Sequence, residues 1–243
     1  MSASPVLIGC SHGTDSVAGR AAIRSILDDV RALRPELDVR EAFVDVQLPE
    51  VADVVGEALS DGGGAGSEEG SRGSDAGPVG AVVVPLLLST GFHVKVDIAD
   101  SVAGRPAVAA RPMGPHPLLV DILVDRLAAV ALTPADAVVL ASAGSTDPDA
   151  AVHVRKVAAG LAAALGRPVA VGYGAGAHPR VPAAVSSARE ALPPGGRVVV
   201  ASYLLAPGYF HDRVLEAGAD VVTTPLAPDP RLAQITLERY AEA

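Results

Sequence analysis

The chain has 243 residues, 49% of them hydrophobic and only 3% aromatic, and carries a formal net charge of -9. That length and apolar content suit one large core or two smaller ones, and the acidic balance excludes a nonspecific nucleic-acid binder, which needs a basic face. A single cysteine, Cys10, excludes a disulfide framework and a Cys-based zinc site and fits a reducing compartment. The first ten residues lack a basic region followed by a long apolar one, so no signal peptide is expected. The longest apolar runs, 81–88 and 127–132, fall well short of the roughly 20 residues that span a bilayer. A cytoplasmic protein without a membrane or nucleic-acid partner is therefore expected.

In chain order, strands alternate with helices: strand 6–10, helix 15–33, strand 39–46 and helix 49–59. The stretch 61–77, DGGGAGSEEGSRGSDAG, has no apolar residue larger than alanine and reads as a flexible surface insertion. Beyond it lie strand 80–87, helix 94–103, strand 106–111 and helix 117–130. Val-rich strands alternating with Ala/Leu helices define an α/β chain.

From Ala135 the pattern begins again. Residues 139–147 fall on 7–15, 173–181 on 43–51, 203–209 on 86–92, and 226–232 on 113–119. Four matching segments in one order predict a tandem duplication. The expected architecture is two doubly wound units, each a four-stranded, mostly parallel sheet flanked by helices: residues 1–132 and 133–243.

The chemistry concentrates in the first unit. His12 follows the first strand in Ser11-His12-Gly13-Thr14-Asp15, and His93 follows the third in Ser89-Thr90-Gly91-Phe92-His93. In that reading Phe92 anchors its loop in the core while His93 faces out, and Val94 opens a helix. Imidazoles at two strand exits would face one crevice, where open α/β sheets bind ligands. Either they are metal ligands or they are loop histidines bonded to backbone. As ligands, neutral imidazoles suit divalent iron, cobalt, nickel or zinc, and two of them leave coordination positions open for exchange. On the alignment above, Gly144 stands where His12 stands and Phe210 where His93 stands, so only the first unit completes the pair. The second unit reads as its structural partner.

Thr14 and Asp15 read as helix N-caps, and the Gly13 amide as a possible anion contact. Asp45, Asp97 and Asp100 are possible proton acceptors or metal guides. His116, between two prolines, reads as a helix-entry residue, and His153 and His178 as solvated helix residues. Gly172, Gly174 and Ala177 match a dinucleotide-binding spacing, but they follow the second strand of their unit and lack the acidic residue expected about 20 positions on.

Taken together, Ser11-His12-Gly13-Thr14, the Pro-Leu-Leu-Leu-Ser-Thr-Gly-Phe-His stretch ending at His93, Asp97-Ile98 and the Gly-Pro-His-Pro-Leu-Leu of 114–119 resemble the sirohydrochlorin chelatases of the CbiX and SirB type. These are relatives of the class II chelatases, and the likeness is to their long, fused forms and covers nearly the whole chain. The resemblance implies insertion of a divalent metal, Fe2+ or Co2+, into sirohydrochlorin in siroheme or cobalamin synthesis, without ATP or a permanent cofactor. It also implies that His12 and His93 hold the metal or receive pyrrole protons, and that the fused halves make a monomer with an internal pseudo-dimer. Against a polycarboxylate substrate, residues 1–132 carry 10 Lys and Arg to 18 Asp and Glu, leaving Arg20, Arg24 and Lys95 as cations for the crevice. The rival reading is a noncatalytic carrier of metal or tetrapyrrole on the same scaffold. A nucleotide-binding regulator resting on 172–177 is a third.

Overall fold

The computed structural model describes residues 4–62, 79–91 and 94–243. Two sheets form. The first holds β1 (Val6–Ser11), β2 (Val39–Phe43), β3 (Ala81–Pro85) and β4 (Ala107–Ala109) in the order β2-β1-β3-β4. The second holds β5 (Ala137–Ser142), β6 (Val169–Tyr173), β7 (Val198–Tyr203) and β8 (Val221–Val222) in the order β6-β5-β7-β8. The pairings between these strands are all parallel, as short Val-rich strands covered on both faces require.

The helices are α1 (Val17–Leu33), α2 (Val51–Gly62), α3 (Ala99–Val102), α4 (Pro117–Ala129), α5 (Pro148–Leu165), α6 (Val181–Glu190), α7 (Tyr209–Leu215) and α8 (Pro230–Ala241). In α1, Ala22, Ile23, Ile26, Leu27 and Val30 recur at helical spacing and are buried. The fully buried aliphatics among them each stabilise the fold by roughly 2 kcal/mol. Alternate strand residues face opposite cores. Leu7 and Val82 join an inner core shared by both halves, while Ile8, Cys10 and Val83 join an outer core with Val51, Val54 and Val55 of α2. The second half repeats this outer core with Val181, Ala184 and Val185 of α6.

The inner helices are exchanged. α4, from the first half, packs against β7 of the second sheet, and α8 packs against β3 of the first. Neither sheet is covered on its inner face by its own half alone.

Several expected boundaries shift. Helix α1 begins at Val17, capped by Ser16, whose Oγ accepts the Gly19 N–H at 3.1 Å. Thr14 and Asp15 are therefore loop residues and not the cap. The expected helix 94–103 is a π-helical turn, Val94–Ile98, continued by α3. Within the expected insertion, 61–62 end α2 and 63–77 lie outside the described residues. The first repeat also moves by one residue. Gly13 and Gly144 share a positive φ, 89° and 83°, and Ser16 and Asp147 both cap the following helix. His12 thus corresponds to Ala143, not Gly144.

Candidate functional site

In a 2-1-3-4 sheet the chain leaves β1 toward β2 on one side and leaves β3 toward β4 on the other, which opens a crevice at their carboxyl ends. His12 is the first residue after β1 and is exposed there. His93 lies outside the described residues; the loop that leads to it, through Gly91, begins at the end of β3.

The His12 loop is held from two directions. On one side, the Thr14 N–H donates to Gln47 Oε1 at 2.9 Å and the Val44 N–H donates to Ser11 O at 3.1 Å. Gly13 passes so close to the β2–α2 loop that a Cβ there would lie 2.6 Å from the Asp45 carbonyl oxygen, which together with its φ explains the glycine. In that neighbouring loop Val46 sits at φ 56°, where the second half has Gly176 at 68°. A β-branched residue in the left-handed region is strained, and such strain concentrates at functional sites. On the other side, Pro207 and Gly208 of the second half lie on the start of α1: a Cβ on Gly19 would fall 2.4 Å from Pro207 O, and one on Gly208 would fall 3.2 Å from Thr14 Oγ1.

The β3 exit is pinned by the second half. Leu88 O accepts the Tyr203 hydroxyl at 3.0 Å, and the Thr90 N–H donates to His153 Nδ1 at 3.4 Å. Gly114 packs beneath, since a Cβ there would lie 2.3 Å from both Leu88 O and Tyr203 Oη. Burial drives the Tyr203 phenol well above its ordinary range, so it acts as a neutral donor. Ser11 Oγ and Thr90 Oγ1, at the two exits, are buried without a hydrogen-bond partner among the described residues.

Behind the crevice, Cys10 is pushed up to about 12 by burial and by the nearby Asp97 carboxylate, so its thiol stays protonated at neutral pH within the outer core. Asp97 sits on the π-helical turn, a geometry common beside functional sites. Asp100 is exposed on α3 and Asp45 accepts the Val46 N–H. Arg24 pairs with Glu41 in the middle of β2 at 3.2 Å, so it does not line the crevice. Arg20 stands one turn inside α1, partly exposed.

The remaining histidines separate. His116 caps α4, with Nδ1 accepting the Leu118 N–H and Nε2 2.8 Å from Glu238. His178 is exposed in the loop before α6 rather than on a helix face. His153 is a correction to its expected solvated position: it is half-buried, and the second half brings its imidazole to the β3 exit. No periodicity could single it out, because the bond joins residues 63 apart in sequence. The 172–177 glycines are explained by packing. Gly174 and Ala175 donate their N–H groups to Ser142 O and Ala143 O, and a Cβ on Gly176 would fall 2.3 Å from Ser145 O. Those amides are spent on the β5 exit, which removes the basis for a phosphate cradle. A shallow hollow along the edge strand β6, lined by Arg155, Tyr173 and His178, lies apart from both strand exits of the first half.

Two parallel α/β halves with exchanged inner helices and a crevice at one switch point define a two-lobed chelatase-like fold. Solved structures share it. SirB from Bacillus subtilis with Fe3+ superposes at a TM-score of 0.79 with 19% identity, covering 98% of this chain and 95% of that one. CbiX, described as the terminal enzyme for biosynthesis of siroheme in denitrifying bacteria, superposes at 0.64 with 19% identity, covering 98% and 99%. The multi-domain DR2241 from Deinococcus radiodurans superposes at 0.63 with 18% identity, covering 98% of this chain but 55% of that one. No curated protein matches the sequence. The CbiX family model matches residues 67–130 and 137–243, and the chain belongs to the CbiX family. Among the described residues no helix is long and apolar enough to cross a membrane.

Proposed function

We propose that the protein is a sirohydrochlorin metallochelatase that inserts Fe2+ or Co2+ at the crevice of its first half. It would work as a cytoplasmic monomer whose second half stands in for a partner subunit. The observation that carries this reading is that the β1 and β3 exits, which lead into His12 and His93, lie side by side at one switch point of the sheet, flanked by Pro207, Gly208 and Ser145 of the second half.

The chemistry fits what these residues supply. Metal entry into the macrocycle releases two N–H protons, and an imidazole of near-neutral pKa is suited to accept one. As ligands, His12 and His93 would offer imidazole nitrogens to a borderline cation, and a pair of ligands leaves positions free for the pyrrole nitrogens to displace it. Bending the macrocycle to expose its lone pairs would draw on binding energy from the rest of the crevice. Val46 and Leu48 stand exposed on the loop beside His12, at 48% and 77%, and offer apolar contact to a flat ring.

Product stoichiometry tests it. Apo-protein incubated anaerobically with sirohydrochlorin and Fe2+ or Co2+ is expected to yield many equivalents of metallated product above the uncatalysed control, and the relative rates identify the metal. Product that never exceeds one equivalent would instead define a carrier.

A further inference from the structure

We infer that His153, on α5 of the second half, is a positioning residue for the site of the first half, fixing through Thr90 the β3 exit that leads into His93. The inference rests on the chelatase reading of that crevice.

The duplication supplies an internal comparison. By strand register Thr90 corresponds to Pro207, and by the shared caps and positive-φ glycines His153 corresponds to Ala22. On the side that carries both histidines of the pair, the Thr90 N–H donates to His153 Nδ1 at 3.4 Å. On the opposite side Pro207 has no N–H to give and Ala22 has no acceptor, so both ends of the bond are missing together. The fold does not need either end. Ala22 is buried at 8% exposure in α1, and Pro207 is accommodated against Gly19, so the equivalent helix and loop form without them.

What the pair supplies is order. A hydrogen bond at the Thr90 amide limits the conformations of the β3 exit itself, from which the chain runs on to His93 three residues later. Gly91 follows flush against the second half, where a Cβ would lie 3.5 Å from Ser145 Oγ. Holding a ligand in place before the metal arrives removes an entropic cost from binding and from the transition state. The bond requires the His153 tautomer with its proton on Nε2.

The test uses the full-length apo-protein. Wild type, His153→Ala, His153→Asn, Thr90→Pro and the double variant His153→Ala/Thr90→Pro are compared in anaerobic turnover and in Co2+ binding against a chromophoric chelator. His153→Ala is expected to lower kcat and Co2+ affinity by about fivefold, the weight of one neutral hydrogen bond, with KM for sirohydrochlorin and the melting temperature unchanged. Asn, whose Oδ1 accepts the same N–H, restores both. Thr90→Pro reproduces the loss, and the double variant is no worse than either single one. Wild-type behaviour of His153→Ala, additive losses, or failure of Asn to rescue in an active wild-type background overturns the inference alone. A wild type with neither turnover nor Co2+ affinity overturns the chelatase reading, and the inference falls with it.

Discussion

Arg126 and Arg239 occupy the same place in the two repeats, and each bonds to the chain of the opposite half at the other's equivalent carbonyls. Arg126, on α4, donates to the carbonyls of Pro225, Leu226 and Pro228. Arg239, on α8, donates to those of Pro112, Met113 and Pro115. The five-donor guanidinium suits a cluster of carbonyls that no shorter side chain reaches. These reciprocal forks lock the exchanged helices whose inner faces complete the opposite sheets.

The two forks differ in burial, which sets an order of cost. Arg239 is 6% exposed and also pairs with Glu242 at 2.9 Å, whereas Arg126 is partly exposed. Arg239→Ala strands three carbonyls away from water and is expected to cost about 3 kcal/mol, with Arg126→Ala costing about half as much. Arg239→Lys recovers little, because one ammonium cannot reproduce the fork. Urea denaturation of the three variants checks this, and an Arg126→Ala cost equal to that of Arg239→Ala would contradict it.

One source of acid sensitivity sits at the base of the second half. The Asp136 side chain is 1% exposed and bonded to the Arg197 guanidinium at 2.6 Å, and it also accepts the Thr133 and Arg197 N–H groups. The Arg197 hydrogen bond, opposed by desolvation, holds its carboxyl well below the usual range. A depressed folded-state pKa gives a contribution that is full above the unfolded value, about 4, and is lost as pH falls from there toward the folded value. The stability gap between wild type and Asp136→Asn should therefore be constant from pH 7 to 5 and shrink as pH falls below about 4. A gap that widens in acid would contradict this assignment.

Much of the architecture is written in local pattern. The apolar runs at 6–11, 81–85, 137–142 and 198–203, each bounded by loop signals, locate the inner strands of both sheets, and four matching segments reveal the repeat. The register of the first match was less legible. A shared Thr-Asp pairs 14–15 with 146–147, but the structure aligns the glycines whose positive φ the turn demands, and backbone conformation outranks side-chain identity there. The helix exchange leaves no local mark, because α4 carries the same apolar stripe whichever sheet it covers. The Thr90–His153 bond is equally silent in sequence, since it exists only once the second half lies against the first. The placement of His12 at the β1 exit was legible, because it directly follows a central strand whose run of apolar residues is plain in the sequence.

The most direct test of the account is the initial rate of metal insertion into sirohydrochlorin, measured anaerobically for wild type, His12→Ala, His93→Ala and His211→Ala. His211 lies on α7 of the second half, with Nε2 3.4 Å from Thr223 O, and serves as the control for a one-site enzyme. Losses of at least about 100-fold are expected for His12→Ala and His93→Ala, on the scale of a lost general base, with an unchanged rate for His211→Ala. A His12→Ala rate close to wild type, or a loss in His211→Ala as large as that in His12→Ala, would contradict it.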